Sequence, residues 1–261
     1  MKKILLLIAV LCTVQIANAQ KVFSLHTVKI EGDLKAFEKL ETELNAKAAQ
    51  EAVNKGDILY WGLFKIQQFN QLEIPGEYNY VFVQWANNID DLLGPKSAWW
   101  MNASKVLTPA EIEQTKTLGA SFKWTKDMRN IFVVDDEAYD AGGQAEYFQF
   151  NFGRPVNTSG FIAENKALWK PFFVKNMSKM NMKVWGVGRR LTFPTKDTSY
   201  NTIMSWDGFK SLEDIMKFRI GGTPLPGYNE VIQKSKMGSY IPEGFTYMPI
   251  FKVLKGTTAK Q

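Results

Sequence analysis

Cysteine and histidine are almost absent: the 261-residue chain holds one of each, Cys12 and His26. Cys12 lies in an amino-terminal stretch read below as a removable leader. The mature chain therefore has no thiol for a disulfide, a nucleophile or a metal site. With one histidine left, only carboxylates remain to hold a metal, and their spacing matches no metal motif, so neither metal nor cofactor is expected. Long apolar runs are missing too. Beyond residues 4–14 nothing approaches the roughly 20 apolar residues of a membrane span. There is no phosphate loop, no Gly-x-Ser-x-Gly elbow and no paired catalytic carboxylates.

Charge of one sign is also scarce. Without Lys2 and Lys3 the chain carries 30 basic against 26 acidic residues, scattered along helices. A nucleic-acid reader should show a basic stripe with interleaved aromatics, and none is present.

Residues 1–19 have the layout of a bacterial-type export signal: Lys2-Lys3, an apolar run from Ile4 to Val14, and Ala17-Asn18-Ala19 before cleavage. The mature chain is then expected to start at Gln20, outside the cytoplasm. Leu11 precedes Cys12 where a lipoprotein signal wants a small residue, which argues against a lipid anchor. A chain of about 240 residues buries around 70% of its unfolded surface and can stand without disulfides. The composition agrees, at 45% hydrophobic and 13% aromatic.

What the chain does have is repetition. Ile58-Leu-Tyr-Trp-Gly-Leu-Phe-Lys-Ile66, Tyr78-Asn-Tyr-Val-Phe-Val-Gln-Trp85 and Ile89-Asp-Asp-Leu-Leu93 are echoed by Lys183-Val-Trp-Gly-Val-Gly-Arg-Arg-Leu191, Tyr200-Asn-Thr-Ile-Met-Ser-Trp206 and Leu212-Glu-Asp-Ile-Met216. Trp61-Gly62 answers Trp185-Gly186, and Trp85 answers Trp206. So long a period means one small domain doubled, not a solenoid.

Each half reads strand, helix, strand, strand, helix, strand. Residues 22–30 alternate as a strand, Asp33 caps a helix with Phe37, Leu40, Leu44 and Ala48 on one face, and Pro75-Gly76 turns the chain. Thr108-Pro-Ala-Glu111 is a capping box, and residues 129–134 form the last strand of the first half. The acidic, glycine-bearing stretch 135–143 reads as a linker. Residues 147–153, a helix from Asn157 to about Met180, the Trp185 and Trp206 strands, a helix at 212–218 and a strand at 247–254 complete the second half. The fold class is α+β: two ferredoxin-like β-α-β-β-α-β units, at 20–140 and 141–255, with a polar tail at 256–261.

A third strand ending in Trp, a short polar step and then a helix rich in Ala and Leu resembles the dimeric α/β-barrel superfamily. The segments that carry the resemblance are Val81-Phe-Val-Gln-Trp85-Ala-Asn-Asn-Ile-Asp-Asp-Leu and Ile203-Met-Ser-Trp206-Asp-Gly-Phe-Lys-Ser-Leu. That superfamily includes cofactor-free antibiotic-biosynthesis monooxygenases, haem-degrading enzymes, NIPSNAP-like proteins and stress-response barrels. The resemblance implies two sheets packed face to face, here within one chain. It also implies a histidine in the helix after the tryptophan, which neither half has.

Candidate site residues follow from the opening strands. Aligned by the repeat, Phe23, Leu25 and Thr27 match Phe148, Phe150 and Phe152, an apolar face suited to packing under helices. Ser24 and His26 match Gln149 and Asn151, which are polar where a structural sheet interface prefers Val or Ile. Gln84 and Ser205 on the third strands could join them. Two readings stand: a lined pocket between the sheets, or polar rims meeting water. His26 is the one available imidazole, either an acid–base group or a satisfied strand residue. Trp85 and Trp206 wall the site or simply pack. Lys65 and Arg189 hold an anion or snorkel. Trp99-Trp100 plugs a barrel end or offers a contact surface.

The expectation is an exported barrel protein that binds a small, largely apolar molecule between its two sheets. The alternatives are a cofactor-independent monooxygenase- or isomerase-like enzyme, and an interaction module built on Trp99-Trp100. Neither a nucleic-acid partner nor a membrane span is expected, and the oligomeric state stays open.

Overall fold

The alternating opening stretch forms β1 (Val22–Gly32). Asp33 then accepts from the backbone N–H groups of Lys35 and Ala36, two donors that a bare helix start would leave open. The computed structural model describes residues 20–67, 78–191, 200–222 and 224–259. The residues read as a leader and as the Pro75-Gly76 turn lie outside them. Helix α1 (residues 34–55) carries a π-bulge at Leu40–Asn45 and stops at Gly56, whose φ of +76° is the left-handed conformation glycine permits.

The first half continues with β2 (Tyr60–Ile66), β3 (Tyr80–Ala86), α2 (Ile89–Leu93), α3 (Ala103–Val106), α4 (Pro109–Gly119) and β4 (Phe122–Tyr139). Thr108 and Glu111 complete the expected capping box. The second half holds β5 (Tyr147–Gly153), α5 (residues 158–180), β6 (Met182–Arg190), β7 (Ile203–Phe209), α6 (Leu212–Arg219), α7 (Tyr228–Lys234), α8 (Met237–Tyr240), β8 (Phe245–Tyr247) and β9 (Ile250–Thr257). Asn157 caps α5 as Asp33 caps α1, and α5 bulges at Asn165–Trp169. No helix among the described residues is long and apolar enough to cross a membrane.

The strands run β4-β1-β3-β2 in the first half and β9-β5-β7-β6 in the second. The halves join at β2–β9 and β4–β6, closing an antiparallel barrel of eight strands, while β8 attaches to β5. This corrects the picture of two separate stacked sheets, because hydrogen bonds cross both seams. One seam uses residues read as a linker: Asp136–Tyr139 continue β4 and pair with β6. The other uses residues read as tail, since Gly256 and buried Thr257 pair with Gly62 and Trp61. Tyr247 belongs to β8, not to the final strand.

Eight strands leave a lumen just wide enough for side chains, and aromatics fill it. Phe23 stacks on Trp85 at 5.0 Å and on Phe132 at 5.3 Å, and Trp206 meets Trp85 edge-on at 5.8 Å. Separate cores lie between each outer sheet face and its helices, around Phe37 and Trp61 in one half and Phe161 and Trp185 in the other.

Register corrects the repeat alignment. Trp85 faces Phe23 and Trp206 faces Phe150, so Ser24 answers Asn151 and not Gln149. Trp61 pairs with Gln84, before Trp85, whereas Trp185 pairs with Asp207, after Trp206. The two tryptophans share a face but stand two residues apart along their strands.

Candidate functional site

Strand parity turns the expected site inside out. Phe23, Leu25, Phe148, Phe150 and Phe152 point into the lumen with Trp85 and Trp206. Ser24, Gln84, Gln149, Asn151 and Ser205 lie on the outer face, beneath the helices. The reason is volume: only the large rings fill an eight-stranded lumen, so the smaller polar groups go outward. The space between the sheets is therefore lined by these rings and not by the polar candidates.

The outer-face candidates also divide between the halves. β1 and β5 stand on opposite sides of the barrel, with three strands between them either way, so Ser24 and His26 do not meet Gln149 and Asn151. His26 Nε2 lies 2.9 Å from Asp127 Oδ2, half-exposed beside Trp124. Lys65 pairs with Glu38 at 2.7 Å, and Asp135 takes two hydrogen bonds from Arg189 at 2.7 and 2.8 Å. Both cations thus have carboxylate partners within the chain. Trp99 and Trp100 part company. Trp99, 6% exposed, packs on Trp61 and donates to Gln84 Oε1 at 3.1 Å, in a helix–sheet layer and not at a barrel end. Trp100 is 55% exposed.

In the second half the candidates converge. Gln149 and Asn151 share the outer face of β5, and Ser205 and Asp207 that of the adjoining β7, all buried. Gln149 Nε2 donates to Asn151 Oδ1 at 2.6 Å. Asn151 Nδ2 donates to Asp207 Oδ2 at 2.6 Å and to Ser205 Oγ at 3.1 Å. Arg219 completes the chain, donating through Nε to Gln149 Oε1 and through Nη2 to the Met248 carbonyl, both at 2.5 Å.

Local sequence explains how Arg219 gets there. Ser211 caps α6, Glu213 and Asp214 stand in the first turn, and Lys217 and Arg219 in the last, each charge placed to suit the helix dipole. α6 packs on β5 and β7, so its final turn ends over Gln149.

Asp207 is 4% exposed. Burial pushes its carboxyl up to about 7, against the Asn151 hydrogen bond, which favours the charged form. A carboxyl at that pKa can both take and return a proton near neutral pH. Neither Asp207 nor Arg219 was among the sequence candidates. A signal for Asp207 was present: Ile203, Ser205, Asp207 and Phe209 share one strand face, which sets a carboxylate between apolar residues.

A cleft of about 530 Å³ lies outside the barrel, between α5, α6 and the start of α7. Among the described residues no cluster of three His, Asp or Glu offers a metal site.

No protein-family model and no curated protein sequence matches the chain. Solved structures share its fold. A protein assigned as a monooxygenase from Fusobacterium nucleatum aligns with TM-score 0.53 at 12% identity, over 92% of this chain and 95% of that one. Another so assigned, from Lactobacillus acidophilus, aligns with TM-score 0.51 at 10% identity, over 92% and 96%. An anthrone oxidase-like protein gives 0.51 at 13% identity, over 94% and 96%.

Proposed function

We propose that this chain is an exported member of the dimeric α/β-barrel superfamily, built from two tandem ferredoxin-like halves, that takes a proton from a small aromatic substrate without a bound cofactor. Asp207 is the proton acceptor, Asn151 orients its carboxyl, and Arg219 ties the network to the end of α6. The like strand order of the two halves supports the duplication, and the leader ending at Ala19 supports export.

The observation that carries the chemistry is the buried Asp207 carboxyl, raised to about 7 and held at 2.6 Å by Asn151. Keeping such a group dry is costly to the fold, and shifts of this kind gather at sites that need them. Proton removal from the acidic ring methylene of an anthrone-type substrate leaves a carbanion. Dioxygen adds to that carbon as a hydroperoxide, which loses water to give the quinone, so one dioxygen is consumed and one water released with no metal needed. The similar folds assigned as monooxygenases and as anthrone oxidase-like suit a substrate of that class.

Oxygen uptake with anthrone, wild type against Asp207→Asn, tests the reading. The wild type should consume oxygen, and the variant should lose on the order of 100-fold or more. Equal uptake by the two would remove Asp207 from the reaction. A second reading, binding without turnover, is favoured by the aromatic cleft. In that case ligand would raise the melting temperature with no oxygen consumed.

A further inference from the structure

We infer that the cleft bounded by α5, α6 and the start of α7 binds a neutral, planar aromatic molecule. Calling that guest the substrate rests on the Asp207 reading; its binding does not.

Rings make the walls. Trp169 stands edge-on to Phe172 at 6.1 Å and stacks on Phe173 at 6.0 Å. Phe172 lies 6.0 Å from Tyr228, and Phe173 lies 6.3 Å from Phe218. Leu225 adds an aliphatic rim. Aromatic faces favour flat partners that can stack or sit edge-on between them. The volume falls in the range of small-molecule sites, roughly 300–1,000 Å³.

The polar groups around it argue for a neutral guest. Lys217 Nζ pairs with Glu213 at 2.5 Å, and Trp169 Nε1 donates to Glu164 at 3.0 Å. Glu230 lies in the first turn of α7, where the helix dipole already suits its charge.

The cleft is held in shape before anything binds. Gly221 and Gly227 take φ of +67° and +84°, turns that a side chain would strain. Asn176 on α5, fully buried, donates to the Phe172 carbonyl at 2.9 Å and to the Pro226 carbonyl at 3.2 Å, tying the rim to the helix. A preformed site avoids the ordering cost of closing around its guest.

The floor also leads to the polar network. Phe173 stacks on Trp185 at 5.6 Å, and Trp185 sits opposite Asp207 in the β6–β7 pairing.

The test uses N-phenyl-1-naphthylamine, a neutral dye that brightens when it leaves water, titrated into the full mature protein. Saturable brightening is expected, and about three- to tenfold weaker binding in each of Tyr228→Ala and Leu225→Lys. Tyr228 is half-exposed while Leu225 packs in part against the core, so melting curves of both variants are read beside the titrations to separate lost binding from a loosened fold. Asp207→Asn should bind the dye unchanged. No saturable brightening, or equal affinity in wild type and both rim variants, would overturn the site. Dye binding without anthrone oxidation would keep the cleft and remove the Asp207 chemistry. Oxidation undiminished in both rim variants, with dye binding weakened, would keep the cleft as an aromatic site and show that the substrate does not use it.

Discussion

Asn151 Nδ2 donates to Asp207 Oδ2 at 2.6 Å across the β5–β7 pair, beneath α6. The bond favours a charged carboxylate, yet burial outweighs it and the carboxyl rises from 3.8 to about 7. The proposed chemistry and the pH dependence of stability both rest on that imbalance.

A carboxyl raised in this way keeps its proton in the fold after the unfolded chain has lost it. Between about pH 4 and pH 7 the folded state holds the extra proton, so stability falls as pH rises through that window and levels off above it. Asp207→Asn removes the slope. The variant should melt close to wild type at pH 4 and higher at pH 8, by at most about 4 kcal/mol. Thermal melts at the two pH values check the sign.

Glu41 gives the same expectation from the other half. It sits in the π-bulge of α1, and burial lifts it to about 7 against a hydrogen bond from Asn45. Glu41→Gln should flatten a second part of the pH dependence. Because the two groups lie in different halves and share no partner, the double variant should show roughly the sum. Urea denaturation at pH 8 reads it.

Trp85 and Trp206 fill the lumen. Replacing either by Ala should cost about 3–5 kcal/mol. Gly186 matters for the same reason: a Cβ there would run into the Trp206 indole. Gly186→Ala should therefore destabilise by about 1–3 kcal/mol through overpacking. Wild-type melting of Trp85→Ala would instead mark an open, ligand-facing ring.

The proposed leader yields a separate expectation. If the chain is exported, mass spectrometry of the protein recovered outside the cytoplasm should find Gln20 as its first residue. A retained Met1 outside the cytoplasm would argue against the cleavage site after Ala19.

The chemistry of the caps was legible. Asp33, Thr108 and Asn157 sit where short polar side chains can satisfy free backbone donors, and each does so. The succession of strands and helices was legible in part: Trp85 stands one residue from the end of β3, but β7 runs three residues past Trp206 to Phe209. The faces were not. In a barrel wrapped by helices both sides of a strand are buried, so alternation cannot tell lumen from helix side. The phenylalanines of β5 were assigned to the helices for that reason. The repeat misled by two residues because the Trp-Gly pairs at 61–62 and 185–186 look alike while their partners on β3 and β7 differ. The strand character of 136–139 was hidden by acidic residues that suggest a linker. Glu137 in fact pairs with Lys21 at 2.7 Å, and Asp136 with Lys170 at 2.6 Å. Asp207 escaped notice because it follows a tryptophan that drew attention to packing. Arg219 reaches Gln149 from 70 residues away in the chain, a distance that no local pattern spans.

The most direct measurement follows the Asp207 carboxyl carbon by NMR in the mature protein between about pH 4 and pH 9, with Asp207→Asn assigning the signal. A midpoint near 7 is expected. A midpoint in the ordinary aspartate range, around 4, would leave a charged surface-like carboxylate and no proton acceptor tuned to neutral pH.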